Sequence, residues 1–469
     1  MQDQAGRKHF RQRMDLMVRT IREDISAGRL RHGDFLPSEK AYAKQYALSN
    51  KSVRQGLDVL VAERLLEKIP RVGNRVIGTA AAGQAVLRFG YYPSMLEQAA
   101  LKSLIEQFHT RHPDIRVQMI PMTAPQTFGG LRTYVDTDAL DLISISSSAF
   151  DEFVANDAAD YWETVDTNPR IYPFLNETLQ ADGQLKAQPF IFSPLMLIYN
   201  KSHLRSLDLL EPDSGWRWGD LFGHASKLNV EKERIGFYFH FPSFNRWPVF
   251  LLQSGMTFGR ETDGTMKLRG TPLADGLRTC QELITTQNRF PLMLSDKEAD
   301  AEKLFFDGKV SMLMTSYFSL NMHPHNPKIK YDIAPLPYVN ESKTLLLVIG
   351  LAISSRSQHK ENAKLLLDFL ISYRSQLTIR QTTLSIPSLK PAAEWTGKET
   401  MYRPSRFHMY REIIPTFAQQ KDLRLSKSEL GLIQREARLY WSGLEAEDVF
   451  LDRLEKLLSS PAPEADGPA

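Results

Sequence analysis

The sequence lacks several features that mark particular classes of protein. It contains one cysteine in 469 residues, Cys280, which excludes an intrachain disulfide and a secreted disulfide scaffold. We expect that thiol to be a small buried side chain. No run of 18 apolar residues occurs, so no membrane span and no membrane partner are expected. The first twenty residues are polar and basic, without the apolar segment of a secretory signal, which favours a cytoplasmic protein.

Motifs typical of enzymes and metal sites are also missing. The sequence has no Gly-rich phosphate loop, no Gly-x-Ser-x-Gly elbow and no His-Glu-x-x-His. The segment HPHNP at residues 323–327 offers two histidines, whereas a metal site needs three or four ligands in a defined geometry. We therefore expect a protein that is not an enzyme, with no cofactor and no bound metal.

Charge is distributed unevenly along the chain. Residues 1–78 hold 16 Lys and Arg against 9 Asp and Glu, whereas residues 79–469 hold 42 against 46. A basic N-terminal segment beside a mildly acidic body predicts a small module that binds a polyanion.

Composition also indicates the domain boundaries. The stretch GTAAAGQ at residues 78–84 is small and uncharged, which is typical of a linker. We predict an N-terminal domain at 1–78, a linker at 79–85 and a larger domain at 86–460. The Pro- and Ala-rich end, residues 461–469, is predicted to be a disordered tail.

The first 78 residues carry the pattern of three helices. A basic helix is predicted at 9–27. Ser38 follows a proline and is expected to cap a short helix at 41–46, and Ser49 is expected to cap the next helix. In that third helix the apolar residues fall at helical spacing on one side, which predicts a buried stripe of Val53, Leu57, Leu60 and Val61.

The other side of the third helix is polar and carries Lys51, Arg54 and Gln55. Two short helices joined by a tight turn, the second with a polar free face, describe a helix-turn-helix whose second helix fits the DNA major groove. The segment LLEKIPRVGNRVIG then predicts a two-stranded wing with Arg71 and Arg75, and basic wings commonly contact phosphate.

This region resembles the winged helix-turn-helix of GntR-type bacterial regulators. The shared features are LPSEK at residues 36–40, SVRQGL at 52–57 and the wing glycine Gly73. The resemblance implies DNA contacts from Lys40 and Arg54. Asn50 stands where that family usually has Arg, so we expect an altered half-site, because Asn reads adenine. The predicted DNA-binding residues are Ser38, Lys40, Asn50, Lys51, Ser52, Arg54, Gln55, Arg71, Gly73 and Arg75.

Beyond the linker, strands and helices alternate. VLRFGYY opens with a strand, an amphipathic helix is predicted at 96–109, and strands are predicted at 115–120 and 140–146. This order suggests parallel βα units, continuing to a helix at 362–372. The last 70 or so residues are predicted to be mostly helical.

The larger region resembles the sugar-type extracellular solute-binding proteins of ABC transporters. The matching segments occur in the family's order and include LKSLIEQFHTRHPDIRVQMI, SGWRWGDLFGHASKL, LFFDGKVSMLM and SIPSLKPAAE. The resemblance implies two α/β lobes that close on a ligand at a hinge. The expected fold class is α/β: a winged helix-turn-helix (α+β) followed by a two-lobed periplasmic-binding-protein-like domain.

The resemblance implies that the ligand is a sugar or oligosaccharide. The aromatic content of 10% supports this, because sugar rings stack on aromatic side chains and need a few placed polar groups. Open α/β sheets bind ligands just beyond their strand ends. The predicted ligand-binding residues are therefore Tyr92, Ser146, Ser147, Phe192, Trp247 and Tyr317. Trp216 and Trp218 are expected to be structural.

Two hypotheses of different class follow. In the first, a homodimeric transcription regulator binds operator DNA and responds to a small-molecule effector, a carbohydrate. In the second, a cytoplasmic carbohydrate-binding protein uses its N-terminal helices for assembly rather than for DNA. Steeply salt-dependent DNA binding distinguishes the first from the second. A GntR-like regulator fused to an aminotransferase-like domain would need a Schiff-base lysine in a matching context, which the sequence lacks.

Overall fold

A computed structural model describes residues 2–26, 29–30, 33–63, 65–70, 72–77, 85–122, 128–286, 294–323 and 328–459, with backbone alone for 2–12, 26 and 286. The chain divides into two compact units. One consists of Met1–Leu87 with Glu106–Gln118, and the other of Arg88–Ile105 with Met119–Ala469. Most of the predicted linker and the predicted tail at 461–469 lie outside the described residues.

The smaller unit contains three helices and a hairpin: α1 (Gln2–Ser26), α2 (Glu39–Tyr46), α3 (Asn50–Ala62), β1 (Leu66–Ile69) and β2 (Gly73–Val76). α1 begins at Gln2, seven residues before the predicted start at residue 9. Its core joins the inner faces of all these elements. Val53, Leu57 and Leu60 are fully buried as predicted, while Val61 is half-buried at the margin.

The helix starts follow from capping. Ser38 Oγ accepts a hydrogen bond from the amide of Ala41, and Ser49 Oγ accepts one from the amide of Ser52, at 3.3 and 3.2 Å. Both serines satisfy amides that the first helical turn leaves without partners. Both predicted caps are confirmed.

The strands that follow the hairpin along the chain belong to one large sheet, apart from the separate pair β6–β7. They are β3 (Ala85–Tyr91), β4 (Ile115–Pro121), β5 (Leu142–Ser146), β6 (Gln180–Ala181), β7 (Gln184–Leu185), β8 (Gln188–Asn200), β9 (Ile235–Tyr238), β10 (Val310–Ser316), β11 (Tyr331–Ala334), β12 (Thr344–Ile353), β13 (Ile386–Pro387) and β14 (Phe417–Ala418).

The α-helices that follow along the chain are α4 (Met95–Gln98), α5 (Leu101–Arg111), α6 (Phe128–Asp136), α7 (Ser147–Ala155), α8 (Pro173–Asn176), α9 (Lys201–Arg205), α10 (Trp218–Leu228), α11 (Val249–Ser254), α12 (Leu273–Thr286), α13 (Glu298–Phe306), α14 (Tyr317–Leu320), α15 (Lys360–Leu370), α16 (Tyr373–Thr382), α17 (Lys390–Ala393), α18 (Lys427–Trp441) and α19 (Glu447–Ser459). Short 3₁₀ turns complete the backbone between them.

The sheet is mixed, which corrects the expectation of simple parallel βα units. Its order includes β3-β5-β12-β8-β10-β9. The pairs β3–β5 and β10–β9 are parallel, but the two long strands β8 and β12 run antiparallel to each other and to their other neighbours in this order. The predictions failed here because an apolar run does not reveal strand direction.

β8 connects two lobes. Residues 188–194 pair with β12, whereas residues 195–200 pair with β10 and β11. Every residue of this strand is buried, so neither of its faces contacts solvent. The strand is therefore the continuous element shared by both halves of the larger unit.

The predicted helix at 96–109 is interrupted. The chain leaves the helical conformation at Ala99 and Ala100, and Ala100 has φ of 48°. No glycine or proline marks the break, so the apolar spacing predicted one continuous helix across it. Cys280 is buried as expected, and α10 begins at Trp218.

Candidate functional site

The free face of α3 carries four exposed polar side chains, those of Asn50, Lys51, Arg54 and Gln55. At 3.6 residues per turn these positions lie on one side of the helix, opposite the stripe buried in the unit's core. Four of the ten predicted DNA-binding residues are thus presented together on an accessible helix face.

Arg54 is held by an ion pair with α2. Its Nε lies 2.6 Å from Glu39 Oε2, while its side chain remains 64% exposed. Lys40 and Lys51 are exposed and form no ion pair within the described residues. The free face of α3 therefore offers one oriented guanidinium and the Lys51 ammonium group, and Lys40 on α2 adds a second exposed ammonium group. A guanidinium suits base edges, and ammonium groups suit phosphates.

Two serines predicted to contact DNA lie instead in the N-terminal caps of α2 and α3. Ser38 is exposed and caps α2. Ser52 is only 4% exposed, and its Oγ lies 2.6 Å from Ser49 Oγ. The structure therefore places Ser52 in the cap of α3, away from the free face.

The predicted wing is the antiparallel pair β1–β2. Arg75 lies opposite Glu67 and forms an ion pair with it. Gly73 has φ of +140°, a conformation that favours glycine, although a Cβ there would meet no atom within 4 Å. Arg71 lies outside the described residues.

A cleft lies in the larger unit where strand ends meet the middle of β12. Its volume is about 350 Å³, within the range of roughly 300–1,000 Å³ of small-molecule sites. β5 ends at Ser146 and leads into α7, and β10 ends at Ser316 and leads into α14. Each of these serines caps the helix that follows it.

The cleft is lined mainly by hydroxyl, amide and apolar groups. Its serines are Ser94, Ser146, Ser147, Ser148, Ser316 and Ser319. Its amides are Gln98, Asn245, Gln419 and Gln420. Apolar surface comes from Phe318, Met322, Ala299 and residues 345–349 of β12, and the two carboxylates are Asp151 and Glu298.

Three of the six predicted ligand-binding residues lie in this cleft: Tyr92, Ser146 and Ser147. The Tyr92 hydroxyl accepts a hydrogen bond from the Ser146 amide at 3.1 Å. Burial raises the pKa of Tyr92 to about 12, so the phenol stays neutral. Tyr92 thus ties the end of β3 to the end of β5.

The other three, Phe192, Trp247 and Tyr317, are fully buried and do not line the cleft. Phe192 belongs to β8, which is covered on both faces. The Tyr317 hydroxyl donates to the carbonyl of Phe407 at 3.0 Å. These three side chains pack the interior, since a position near a strand end does not specify which way its side chain points.

Several residues that line the cleft were not predicted from the sequence. Phe318 and Asn245 are close neighbours of predicted residues, so a window around each prediction would have found them. Gln419 and Gln420 come from a distant segment that no motif marks.

A buried charge network lies behind the cleft. Arg246 is 1% exposed, and its Nη2 lies 2.8 Å from Glu298 Oε2 and 3.7 Å from Glu302 Oε1. Burial raises the pKa of Glu302 to about 7. Burial likewise raises the pKa of Asp151 to about 6, while Lys421 at 3.8 Å opposes the rise.

Glu302 is expected to make stability depend on pH. Its folded-state pKa lies above the usual value near 4.3, so its contribution to the free energy of unfolding falls as pH rises from about 4.5 to about 7. Glu302→Gln carries no titrating proton and is expected to flatten that fall. Urea unfolding at pH 5 and pH 8 measures the difference; exposed Glu261→Gln is the control, and an unchanged pH dependence in Glu302→Gln would contradict this assignment.

The described residues contain neither a candidate metal site nor a membrane-spanning helix. The described residues contain no group of three or more His, Cys, Asp or Glu able to hold a metal ion. Of the HPHNP segment only His323 is among them. No helix in the described parts of the chain is long and apolar enough to cross a bilayer.

Comparison with known families divides the chain in two. Residues 103–406 match the family model of the bacterial extracellular solute-binding proteins. Residues 17–76 match that of the bacterial regulatory proteins of the gntR family. The first match covers more than half of the chain, and the second includes α2, α3 and the wing.

Individual proteins show the same relationship. The sn-glycerol-3-phosphate-binding periplasmic protein UgpB of Escherichia coli K12 is 23% identical over 287 residues, 58% of this chain and 65% of UgpB. A protein of Brucella abortus named as a binding protein is 24% identical over 225 residues, 46% of this chain and 54% of that protein. The chain thus spans about half to two thirds of these relatives.

Solved structures share the fold of the larger unit. Maltose-bound MalE3 of T. maritima superposes with a TM-score of 0.66 at 19% identity, covering 80% of this chain and 99% of that one. Lmo0181 of Listeria monocytogenes in complex with cycloalternan gives 0.64 at 18% identity, covering 80% and 98%. At these identities the likeness concerns the fold.

Proposed function

Because the chain belongs to the bacterial extracellular solute-binding protein family and carries a gntR-family regulatory domain at its N-terminus, we propose that it is a ligand-responsive transcription regulator. It binds operator DNA through the winged helix and senses a sugar or oligosaccharide in the cleft. It acts in the cytoplasm as a homodimer, is not an enzyme, and needs no cofactor.

The observation that carries this proposal is the accessible polar face of α3 in a chain that also holds a hydroxyl-lined cleft. Arg54, Lys51 and Asn50 project from the first two turns of a helix whose other side is locked into a core. Residues at the start of a recognition helix reach base edges in the major groove. As a dimer, the protein would place two such helices on half-sites about one helical turn apart.

The chemistry of the cleft supports a carbohydrate effector. Serine hydroxyls and amides exchange hydrogen bonds with sugar hydroxyls, and the apolar strip of β12 with Phe318 suits the C–H face of a sugar ring. Structures of similar fold contain maltose and cycloalternan. The effect on DNA requires a coupling free energy of only about 1–3 kcal/mol, which changes affinity 5- to 150-fold.

The test combines DNA binding with effector screening. An operator is first selected from random duplexes with the full-length protein. Its affinity is then measured at fixed salt with and without maltose, cycloalternan and α-D-tagatose, and melting curves are recorded in parallel. We expect one sugar to raise the melting temperature and to change operator affinity at least 5-fold.

A matched pair of asparagines controls the test. Asn245 is exposed and lines the cleft, whereas Asn156 is exposed at the end of α7 and does not. Asn245→Ala is expected to weaken the effector about 10-fold through loss of a hydrogen bond, and Asn156→Ala is expected to leave effector binding unchanged. Absence of any DNA binding at low salt would instead favour the assembly role for the N-terminal helices.

A further inference from the structure

The described lining of the cleft contains no side chain that would neutralise an anion. Its described lining has two carboxylates, Asp151 and Glu298, and no lysine, arginine or histidine. Sites that bind phosphate usually supply arginine or lysine directly to the phosphate oxygens. A ligand carrying a phosphate group would therefore lose its hydration without gaining a cationic partner in the wall.

Two cations beside the cleft pair with its carboxylates. Arg246 donates from Nη2 to Glu298 at 2.8 Å and to Ser319 Oγ at 2.9 Å, and from Nη1 to the Asn245 carbonyl at 3.1 Å. It is 1% exposed and packed behind the wall. Lys421 Nζ lies 3.8 Å from Asp151 Oδ1 and donates to the Glu177 carbonyl at 3.2 Å. Both cations balance cleft carboxylates rather than a ligand.

Helix N-termini at the cleft favour anions, and the cleft carboxylates offset them. α13 begins with Glu298 and α14 follows Ser316 beside the cleft, and each helix N-terminus carries roughly half a positive charge. α7 also begins at the cleft wall. The Ser146 hydroxyl already accepts from the Ala149 amide there, at 3.3 Å. Asp151 lies in the same helix and adds a full negative charge when ionised. The summed charge at this end of the cleft therefore does not favour an anionic ligand beside Asp151.

Hydrogen-bond acceptors in the cleft wall require hydrogen-bond donors from the ligand. Gln419 Oε1 is buried and has no hydrogen-bond partner among the described residues. Asp151 is also an acceptor when ionised, and Glu298 keeps further lone pairs although it already accepts from Ser243 and Arg246. A sugar hydroxyl donates to such groups, whereas a phosphate dianion offers only acceptors. An acceptor that is buried without a donor costs about 1–3 kcal/mol, so a ligand that supplies one binds better.

We infer that the cleft binds an uncharged, hydroxyl-rich ligand and rejects the phosphate ester of the same molecule. This inference rests on the proposed sugar-sensing function and deepens it. It also separates this chain from its relative UgpB, whose name gives sn-glycerol 3-phosphate as its ligand. The protein thus binds a free sugar and does not bind the phosphate ester of that sugar.

Paired compounds test the inference on the full-length protein. Maltose, trehalose, α-D-tagatose and glycerol are compared with maltose 6′-phosphate, trehalose 6-phosphate, tagatose 6-phosphate and sn-glycerol 3-phosphate, by calorimetry and thermal shift. We expect at least one free compound to bind and its ester to bind at least 100-fold more weakly. An ester that binds as tightly as its free partner overturns the inference and leaves sugar sensing standing. Absence of binding by every compound overturns sugar sensing itself, and the inference with it.

A substitution separates charge selection from fold damage. Asp151→Asn keeps the size of the side chain and removes its charge, so the preference for the free compound over its ester should fall about 10-fold. Asp157→Asn, an exposed aspartate outside the cleft lining, is the control and should keep the full preference. An unchanged ratio in Asp151→Asn would show that cleft charge does not set the selectivity.

Discussion

Arg54→Ala is expected to weaken operator binding by about 1–3 kcal/mol, a loss of roughly 5- to 150-fold at fixed salt. The guanidinium lies on the free face of α3 and is 64% exposed, so its removal disturbs no core packing. Glu39 holds it in one orientation before DNA arrives, which lowers the entropy cost of a base contact. Fluorescence anisotropy with the selected duplex measures the change.

Arg29→Ala is the matched control for this prediction. Arg29 is 62% exposed and its Nε lies 2.7 Å from Asp24, so its environment is nearly that of Arg54, but it lies outside the helix-turn-helix. The control should change affinity less than 3-fold. An equal loss in both variants would point to general electrostatics, and no loss in Arg54→Ala would refute the assignment of α3 as the recognition helix.

Arg246→Ala is expected to destabilise the larger unit by about 3–5 kcal/mol at pH 8. The guanidinium is 1% exposed and serves Glu298 and Glu302, so its removal leaves Glu302 buried without a cation. Above pH 7 this carboxyl is mostly ionised, which makes the cost greatest there. Chemical unfolding followed by tryptophan fluorescence measures the free energy.

Two further variants define the origin of that loss. Arg269 and Asp452 form an exposed ion pair at 2.6 Å, so Arg269→Ala should cost only about 0–1 kcal/mol. Adding Glu302→Gln to Arg246→Ala should recover part of the stability, because the orphaned charge is removed. A double variant as unstable as the single one would assign the loss to packing instead.

Local signals explain why the smaller unit was largely predictable. Ser38 and Ser49 mark helix starts because their side chains satisfy amides within the next three residues. The stripe of Val53, Leu57 and Leu60 predicts burial because helical periodicity aligns those positions. Each inference depends on residues close together in the chain. The same reasoning failed at Ala100, where a left-handed residue breaks the helix without a glycine to announce it.

The cleft shows the limit of such reasoning. Strand ends in the sequence led to Tyr92, Ser146 and Ser147, which the structure brings together. The same rule also selected Phe192 and Tyr317, which are buried. Position along a strand is visible in the sequence, but the direction of a side chain depends on which layers cover the sheet.

The sequence by itself determined the order of domains in this protein: a basic winged helix-turn-helix followed by an α/β body that resembles solute-binding proteins. Local periodicity, capping and ordered motifs indicate each of them. Only the tertiary structure decided the charge character of the cleft. Asp151, Glu298 and Gln419 converge there from distant segments, while Arg246 and Lys421 pair with the carboxylates Glu298 and Asp151. Which charges face a ligand depends on those long-range pairings, and no short stretch of sequence encodes them.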